Sequence, residues 1–380
     1  MRKLRLFTPG PVMVPEEVMV RMAAPMEHHR TAAFREIYKD VTEKLEYLYQ
    51  TQGTCLSIAG SGTAAAEAAI VSCLPKGHKA LVVRNGKFAE RWAEVCAAFE
   101  IPHTNYDVEW GRGADPAKID QMMAADSALD TVIVVHSETS TAAVSDVKAI
   151  GEVVRKRGGI FIIDGITSIG AIPMKMDEWK IDAAITGSQK AMMLPPGLAF
   201  VAVNDRAWQR IDSGSSHTYY NNLKKYRKSL EGQESPFTPA ISLMVGAQYT
   251  LGLIQRIGLE NIWKHTRLLA AAMRAASKAI GLKVFAADPV DSVTAMLVPD
   301  GVDEAKLRKT MRETHGMQIA GGQGSLKGKI IRVSHMGYID QADTLGVIGA
   351  LELTLHGLGH KFELGAGLAA AQRVFAEGVA

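Results

Sequence analysis

Between about residue 53 and residue 205 the chain alternates short, unbroken apolar runs with longer segments of mixed polarity. The runs are "CLSIAG" (55–60), "KALVVRN" (79–85), "TVIVVHSE" (131–138), "GIFIIDG" (159–165), "AAITGS" (183–188) and "GLAFVAVN" (197–204). Apolarity that is continuous marks strands covered on both faces, hence a mainly parallel sheet. Segments 63–73, 87–99 and 145–157 have helical length and lie between several of these runs. The pattern predicts an open α/β domain with helices on either side of its sheet.

Past residue 205 the pattern changes. Region 206–240 is polar, with "SGSSHTYYNNLKKYRK" and the two prolines of "ESPFTP", and is expected to run as a long excursion over the surface or into a partner subunit. A helical stretch (241–280) follows, then the runs "LKVFAAD" and "VTAMLVPD", a helix near 303–315 and the run "GKIIRVSHM". These predict a second, smaller α+β domain from about 260, ending in an Ala-rich helix over 364–378.

Composition narrows the function. A chain of 380 residues, 47% hydrophobic and 22% charged, can bury a sizeable core. Its net charge of +3, with no basic run interleaved with aromatics, argues against a nucleic-acid partner. Cys55, Cys73 and Cys96 form no CxxC pair, which suits a reducing cytoplasm and argues against a thiolate metal site. The basic start "MRKLRLFTPGPVMVPEE" breaks at Pro9 and Gly10 before any long apolar region, unlike a signal peptide. No stretch reaches the roughly eighteen apolar residues of a membrane span.

Four motifs end strands. "SIAGSGTAAAEAAI" sets a Gly-rich turn before a helix opening near Thr63, where free N–H groups and the helix dipole favour an anion. Gly60, Gly62 and Ala65 also fit the dinucleotide fingerprint, with Arg84 standing where an NADP site would place a cation; a turn without a ligand fits as well. "FIIDGITS" ends on Asp164, either a ligand group at the sheet's carboxyl edge or an Asx turn. "ITGSQKAMM" ends on Lys190, either a nucleophile activated by apolar surroundings or a side chain that snorkels to water. "VVHSETSTAA" supplies Thr139 and Ser140, whose hydroxyls serve a ligand or merely the loop backbone. Converging on one rim, these four match what pyridoxal phosphate requires: a Schiff-base lysine, an acid on the pyridine nitrogen and a phosphate site. An NADP enzyme has no evident use for the acid and the lysine together.

The chain resembles the class V aminotransferases of pyridoxal-phosphate fold type I, in particular the alanine/serine–glyoxylate group. The resemblance covers nearly the whole chain through "FTPGPVMVP", "GSGTAAAEAAI", "NGKFAERW", "HSETSTA", "DGITSIGAIP", "GSQKAMMLPPG", "FTPAISL" and "IIRVSHMG". It implies a large cofactor-binding domain (21–258), a small C-terminal domain (259–380) and an N-terminal segment (1–20) reaching toward the active site. Lys190 would be the Schiff-base lysine and Asp164 the partner of the ring nitrogen. Ser61, Gly62 and Thr63 would hold the phosphate, with Gln189 nearby. Phe88 would stack on one ring face, Ile166 would pack on the other, and Thr139 would contact the ring hydroxyl side. Thr238 would reach the phosphate of a neighbouring subunit, which implies a homodimer. Arg332 would clamp the substrate carboxylate; without the resemblance it reads as a strand-face arginine in a surface ion pair.

The implied activity is amino-group transfer from alanine, serine or aspartate to a 2-oxo acid such as glyoxylate or pyruvate. A 2-aminoethylphosphonate–pyruvate transaminase is an alternative, and an NADP-dependent oxidoreductase is one from another class. A cysteine desulfurase would need a late, mobile thiol, yet the last cysteine is Cys96. Two departures stand out: Ser235 replaces a tyrosine of some relatives, and Ala142 follows "TST" where glycine is common, so that loop is expected to sit differently. "GGQGSLKGKI" lacks the P-loop spacing and reads as a glycine-rich turn near the substrate. His28, His29 and Arg30 lack metal-ligand spacing and suit a surface or substrate-entrance role.

Overall fold

In the computed structural model, which describes residues 3–215 and 218–378, the central sheet has seven strands. Residues 1–2, 216–217 and 379–380, the ends of the N-terminal segment and of the tail and one step of the polar excursion, lie outside the described residues. Across the sheet the order is Thr54–Gly60, Gly197–Val203, Ala183–Gly187, Ile160–Asp164, Leu129–Val135, Lys79–Arg84 and His103–Asp107. Only Gly197–Val203 runs against its two neighbours; the rest point one way.

All six expected runs are strands, and their burial shows why they are apolar throughout. Leu81, Val83, Val132, Val134, Phe161 and Ile163 enter the core on one face. Their alternate neighbours Ala80, Val82, Ile133, Val135, Ile160 and Ile162 enter a separate core on the other. A strand with two dry faces favours apolar side chains at nearly every position. The seventh strand, His103–Asp107, escaped the pattern because it is an edge with partly exposed side chains and a polar sequence.

Helices Gly62–Cys73, Lys87–Ala98 and Val147–Lys156 match expectation. Helix Ala32–Tyr49 was not among the expected elements, although Phe34, Tyr38, Val41, Leu45 and Leu48 recur on one buried face. Region 206–240 is corrected. It contains much of helix Asp205–Ser213 and all of Leu223–Leu230, each burying few apolar residues, so sparse hydrophobicity disguised two surface helices as loop.

The helical stretch 241–280 breaks into Ile241–Ile257 and Leu259–Ala279 at Gly258, whose φ of +86° suits glycine. Strands Val293–Leu297 and Ile330–Ser334 and helices Glu304–Glu313, Gln341–Gly357 and Ala366–Glu377 follow. The run "LKVFAAD" contributes a single bridge, Val284 to Met296, rather than a strand. Several of these elements enclose a third core, into which the N-terminal Phe7 also packs.

One buried carboxylate ties together the strands that matter most. Asp182, fully buried, accepts hydrogen bonds from Phe161 N and Asn204 Nδ2 (2.8 Å each) and meets Arg206 at 3.0 Å and Arg155 at 3.3 Å. It thereby pins the starts of the two adjacent strands that end at Asp164 and Gly187. Asp182→Ala strands a buried N–H and frees two arginines, so we expect it to cost about 3 kcal/mol in urea unfolding. Asp182→Asn, which keeps an acceptor, should cost less; equal losses would show that acceptor geometry is irrelevant here.

Candidate active site

Six parallel strands present their carboxyl ends to one rim, the usual place for ligands in open α/β sheets. There a cavity of about 190 Å³ is lined by Ser61, Gly62, Thr63, Phe88, Thr139, Asp164, Ile166, Gln189 and Lys190. Thr167, Arg91 and Val135 complete its wall. Nine of the eleven expected site residues therefore share one cavity. Arg332 touches it from outside, donating to the Thr139 carbonyl at 2.6 Å. Thr238 stands apart, exposed in the turn before helix Ile241–Ile257.

The cavity wall is rich in donors at the glycine turn. Ser61 flanks helix Gly62–Cys73 in an extended conformation without spending its side chain on the cap. The N–H groups of a first helical turn have no partner within the helix. A Cβ on Gly62 would fall 2.5 Å from Ile166 Cδ1, so only glycine lets the turn close against that side chain. Gln189 keeps its Oε1 buried without a partner among the described residues, and turning its amide over would present two donors there.

The same wall holds two buried ionisable groups. Asp164 ends strand Ile160–Asp164, and its Oδ1 accepts from Ile166 N at 2.8 Å. The Asx turn considered from sequence is thus real and coexists with a place in the cavity wall. Burial pushes its carboxyl up to about 7; nearby Glu138 adds to this, while Lys190 and Arg91 oppose it. Lys190 follows the neighbouring strand and is buried, so it does not snorkel. Burial pulls its amine down to about 8, against the pull of Asp164.

The N-terminal segment lies across Lys190. Nζ donates to the Pro9 carbonyl, and Val12 N donates to Gln189 O at 3.2 Å. Gly10 has φ +118°, and a Cβ there would fall 2.5 Å from Nζ. Further back, Phe7 N donates to Gln318 O, and Phe7 O accepts from Ser334 N, at 2.8 Å each. The segment is therefore strapped both to the lysine loop and to the strand that carries Arg332.

Sequence inspection passed over Glu138, which sits inside a quoted motif. It is fully buried and accepts from Ala89 N and Ser140 N (2.9 Å each) and from Ser140 Oγ (2.6 Å). Helix Lys87–Ala98 lacks a side-chain cap of its own, so Glu138 caps it from another element. Gly86 makes room, since a Cβ there would fall 2.4 Å from Glu138 Cγ. Thr139 Oγ1 pairs with Thr167 Oγ1 at 2.6 Å. Ala142 adopts φ +57°, the left-handed region that glycine enters freely, so alanine accepts the strain of that turn.

Other expectations resolve simply. Arg332 is buried and not in a surface ion pair; its Nε and Nη2 donate to Gly321 O at 2.9 and 2.7 Å. The turn "GGQGSLKGKI" supplies that carbonyl. Arg84 makes a bidentate pair with Asp107 at 2.7 and 2.8 Å, and four strands separate its strand from Thr54–Gly60. An NADP site would need it beside the glycine turn, so that alternative fails on topology. His28 and His29 stack at 4.6 Å beside Arg30, which pairs with Glu234 in a surface cluster. No group of three or more potential metal-ligating His, Cys, Asp or Glu occurs among the described residues.

The shifted groups make a pH prediction for cofactor-free protein. Asp164 is raised from 3.8 to about 7, so across that window the folded state keeps a proton that the unfolded state has lost. Its contribution must fall as pH rises from about 4 to about 7. Lys190 is lowered from 10.5 to about 8, so here the unfolded state holds the extra proton and stability climbs between those values. Melting temperature against pH should lose the acid limb in Asp164→Asn and the alkaline limb in Lys190→Met. Unchanged profiles would contradict the burial of both groups.

Donors at the glycine turn, in one cavity with an acid of high and an amine of low proton affinity, fit a phosphate-bearing pyridine aldehyde. The comparisons agree. The family model described as "Aminotransferase class-V" matches residues 6–344. A protein of Anabaena cylindrica named "Soluble hydrogenase 42 kDa subunit" is 41% identical over 379 residues, covering 98% of this chain and 99% of the relative. A serine–glyoxylate aminotransferase of Methylorubrum extorquens is 34% identical over 385 residues, covering 98% and 96%. The crystal structure of ureidoglycine–glyoxylate aminotransferase from Bacillus subtilis superposes with a TM-score of 0.95 at 31% identity, covering 99% of both chains. The chain belongs to the class V aminotransferases, pyridoxal-phosphate-dependent enzymes of fold type I.

Proposed function

We propose that this aminotransferase moves the amino group of a small amino acid, of the alanine, serine or aspartate type, to glyoxylate or pyruvate. The observation that carries the proposal is the buried Lys190–Asp164 pair in one cavity with the glycine turn. Bound there, pyridoxal phosphate supplies an aldehyde that condenses with amines and a ring that takes up the electron pair of a departing Cα proton.

The chain's residues do the rest. With its proton affinity lowered by burial, Lys190 is an amine often enough near neutral pH to act as a nucleophile. Freed by an incoming amine, the same group can carry a proton to and from the substrate Cα. Asp164 would hold the ring nitrogen in its protonated form. Ser61, Gly62, Thr63 and Gln189 would hold the phosphate, Phe88 and Ile166 the two ring faces, and Thr139 the hydroxyl side. Arg332 would exchange neutral carbonyl partners for the substrate carboxylate, a stronger, charge-assisted pairing. In the expected division into an N-terminal segment (1–20), a large domain (21–258) and a small domain (259–380), each would contribute here, through Pro9, Lys190 and Arg332 respectively.

A homodimer fits the exposed Thr238, which lies outside the Lys190 cavity of its own subunit. Its neighbours Tyr219 and Tyr220 are also exposed and lie with Phe237 in an aromatic group. Three free, buried cysteines suit a cytoplasmic location. No helix among the described residues is long and apolar enough to cross a membrane. The word hydrogenase in one relative's name finds no support in the side chains. The cysteines lie in separate elements, and the described residues hold no ligand cluster.

Reduction of the yellow holoenzyme with borohydride should add the cofactor's mass to the peptide containing Lys190. Lys190→Ala should abolish turnover, and either adduct formation elsewhere or wild-type rates would overturn the assignment. Arg332→Lys should raise KM for the amino acid roughly tenfold or more by losing the bidentate fork. Half-reactions with alanine, serine, aspartate and 2-aminoethylphosphonate, followed by loss of the visible band, identify the donor; reaction with the phosphonate alone would overturn the amino-acid reading.

A further inference from the structure

Helix Lys87–Ala98 brings a second cation to the cavity, one that sequence inspection did not single out. Phe88 and Arg91 stand three residues apart and so share a helix face. The Arg91 guanidinium lies 5.1 Å from the Phe88 ring centroid, and its Nη1 donates to Thr63 Oγ1 at 3.2 Å. Arg91 lines the same cavity as Ser61, Gly62 and Lys190. The acids of its own helix turn elsewhere: Lys87 takes Glu90 at 2.9 Å and approaches Glu94 at 3.9 Å. Among the described residues no carboxylate forms an ion pair with Arg91. Its side chain reaches inward to a hydroxyl of the glycine turn instead of joining these surface pairs.

The charges at that turn do not balance without it. A phosphate monoester carries between one and two negative charges near neutral pH. A helix N-terminus offers about half a positive charge. Ser61, Thr63 and Gln189 are neutral, and Lys190 belongs to the aldehyde end in the reading proposed above. Arg91 is the remaining cation in the cavity wall, and its field reaches both Asp164 and Lys190.

Resting on that reading, we infer that Arg91 is a cofactor-binding residue. Its guanidinium supplies the countercharge for the phosphate seated on the first turn of helix Gly62–Cys73, held in place by Thr63 and by stacking on Phe88. The ligand it recognises is a phosphate monoester, not the ring and not the substrate carboxylate, which falls to Arg332.

The test is to titrate cofactor-free wild type, Arg91→Gln and Arg91→Lys with pyridoxal phosphate and with phosphate-free pyridoxal, following the visible absorbance. Arg91→Gln should weaken pyridoxal phosphate by roughly ten- to hundredfold, as expected for one hydrogen bond to a charged group, and leave pyridoxal within about twofold. Arg91→Lys should recover part of the loss, because it keeps the charge without the fork. Equal weakening of both ligands would assign Arg91 to holding Phe88 and overturn the inference, as would undiminished binding of pyridoxal phosphate. Wild-type protein that takes up neither ligand would overturn the cofactor assignment itself, a distinguishable failure. Melting curves of the cofactor-free variants check folding, and should Arg91→Gln not fold, Arg91→Lys against the two ligands decides alone.

Discussion

The dry rim shared by Asp164 and Lys190 is the constraint on which the rest of the site depends. Neighbouring parallel strands deliver the two groups to the same edge of the sheet. An isolated charge there would be costly, and each group responds by moving toward its neutral form. The shift keeps the amine near its neutral form, and it depends on keeping water out. Every surrounding feature serves that exclusion: two apolar cores behind the sheet, a segment laid over the amine, and glycines where nothing larger fits.

Precision at the rim comes from buried acids that bind backbone N–H groups. Asp182 fixes the starts of the two strands, and Glu138 fixes the start of the helix that carries Phe88 and Arg91. A carboxylate receiving several N–H groups is oriented far more tightly than one in a surface pair. Glu138 pays for its own burial with those donors, while its proton affinity stays raised. Its neighbour Thr139 then accepts from Arg332 through its carbonyl, so one short loop positions Phe88, Thr139 and Arg332 together.

Much of this was legible in the sequence because fully buried parallel strands have one readable signature. Six apolar runs marked six strands, and the residues just after them marked the rim. Motifs at strand ends then located Ser61, Gly62, Thr63, Thr139, Asp164, Gln189 and Lys190. What escaped lacked such a signature. His103–Asp107 is an edge strand with the composition of a loop, and helices Asp205–Ser213 and Leu223–Leu230 are polar on most faces. Arg91 and Glu138 are charged residues whose roles depend on direction: one turns inward to a hydroxyl, the other reaches across to another helix. Composition and spacing carry no record of that direction.

The N-terminal strap extends the argument to the small α+β part of the molecule. Its backbone pairs with Met317–Gln318 and with Ser334, then crosses Lys190 at Pro9 and Gly10, then bonds to Gln189. Strand Ile330–Ser334, which carries Arg332, is thus tied through the short backbone segment from Phe7 to Val12 to the loop that carries the amine. Displacement of that strand must pull on the strap, because a backbone segment bonded at both ends has little slack. The Gly10 position allows no cushioning, with the lysine side chain already in contact. The position of the strand that carries Arg332 and the position of the Lys190 amine are therefore mechanically linked through the strap.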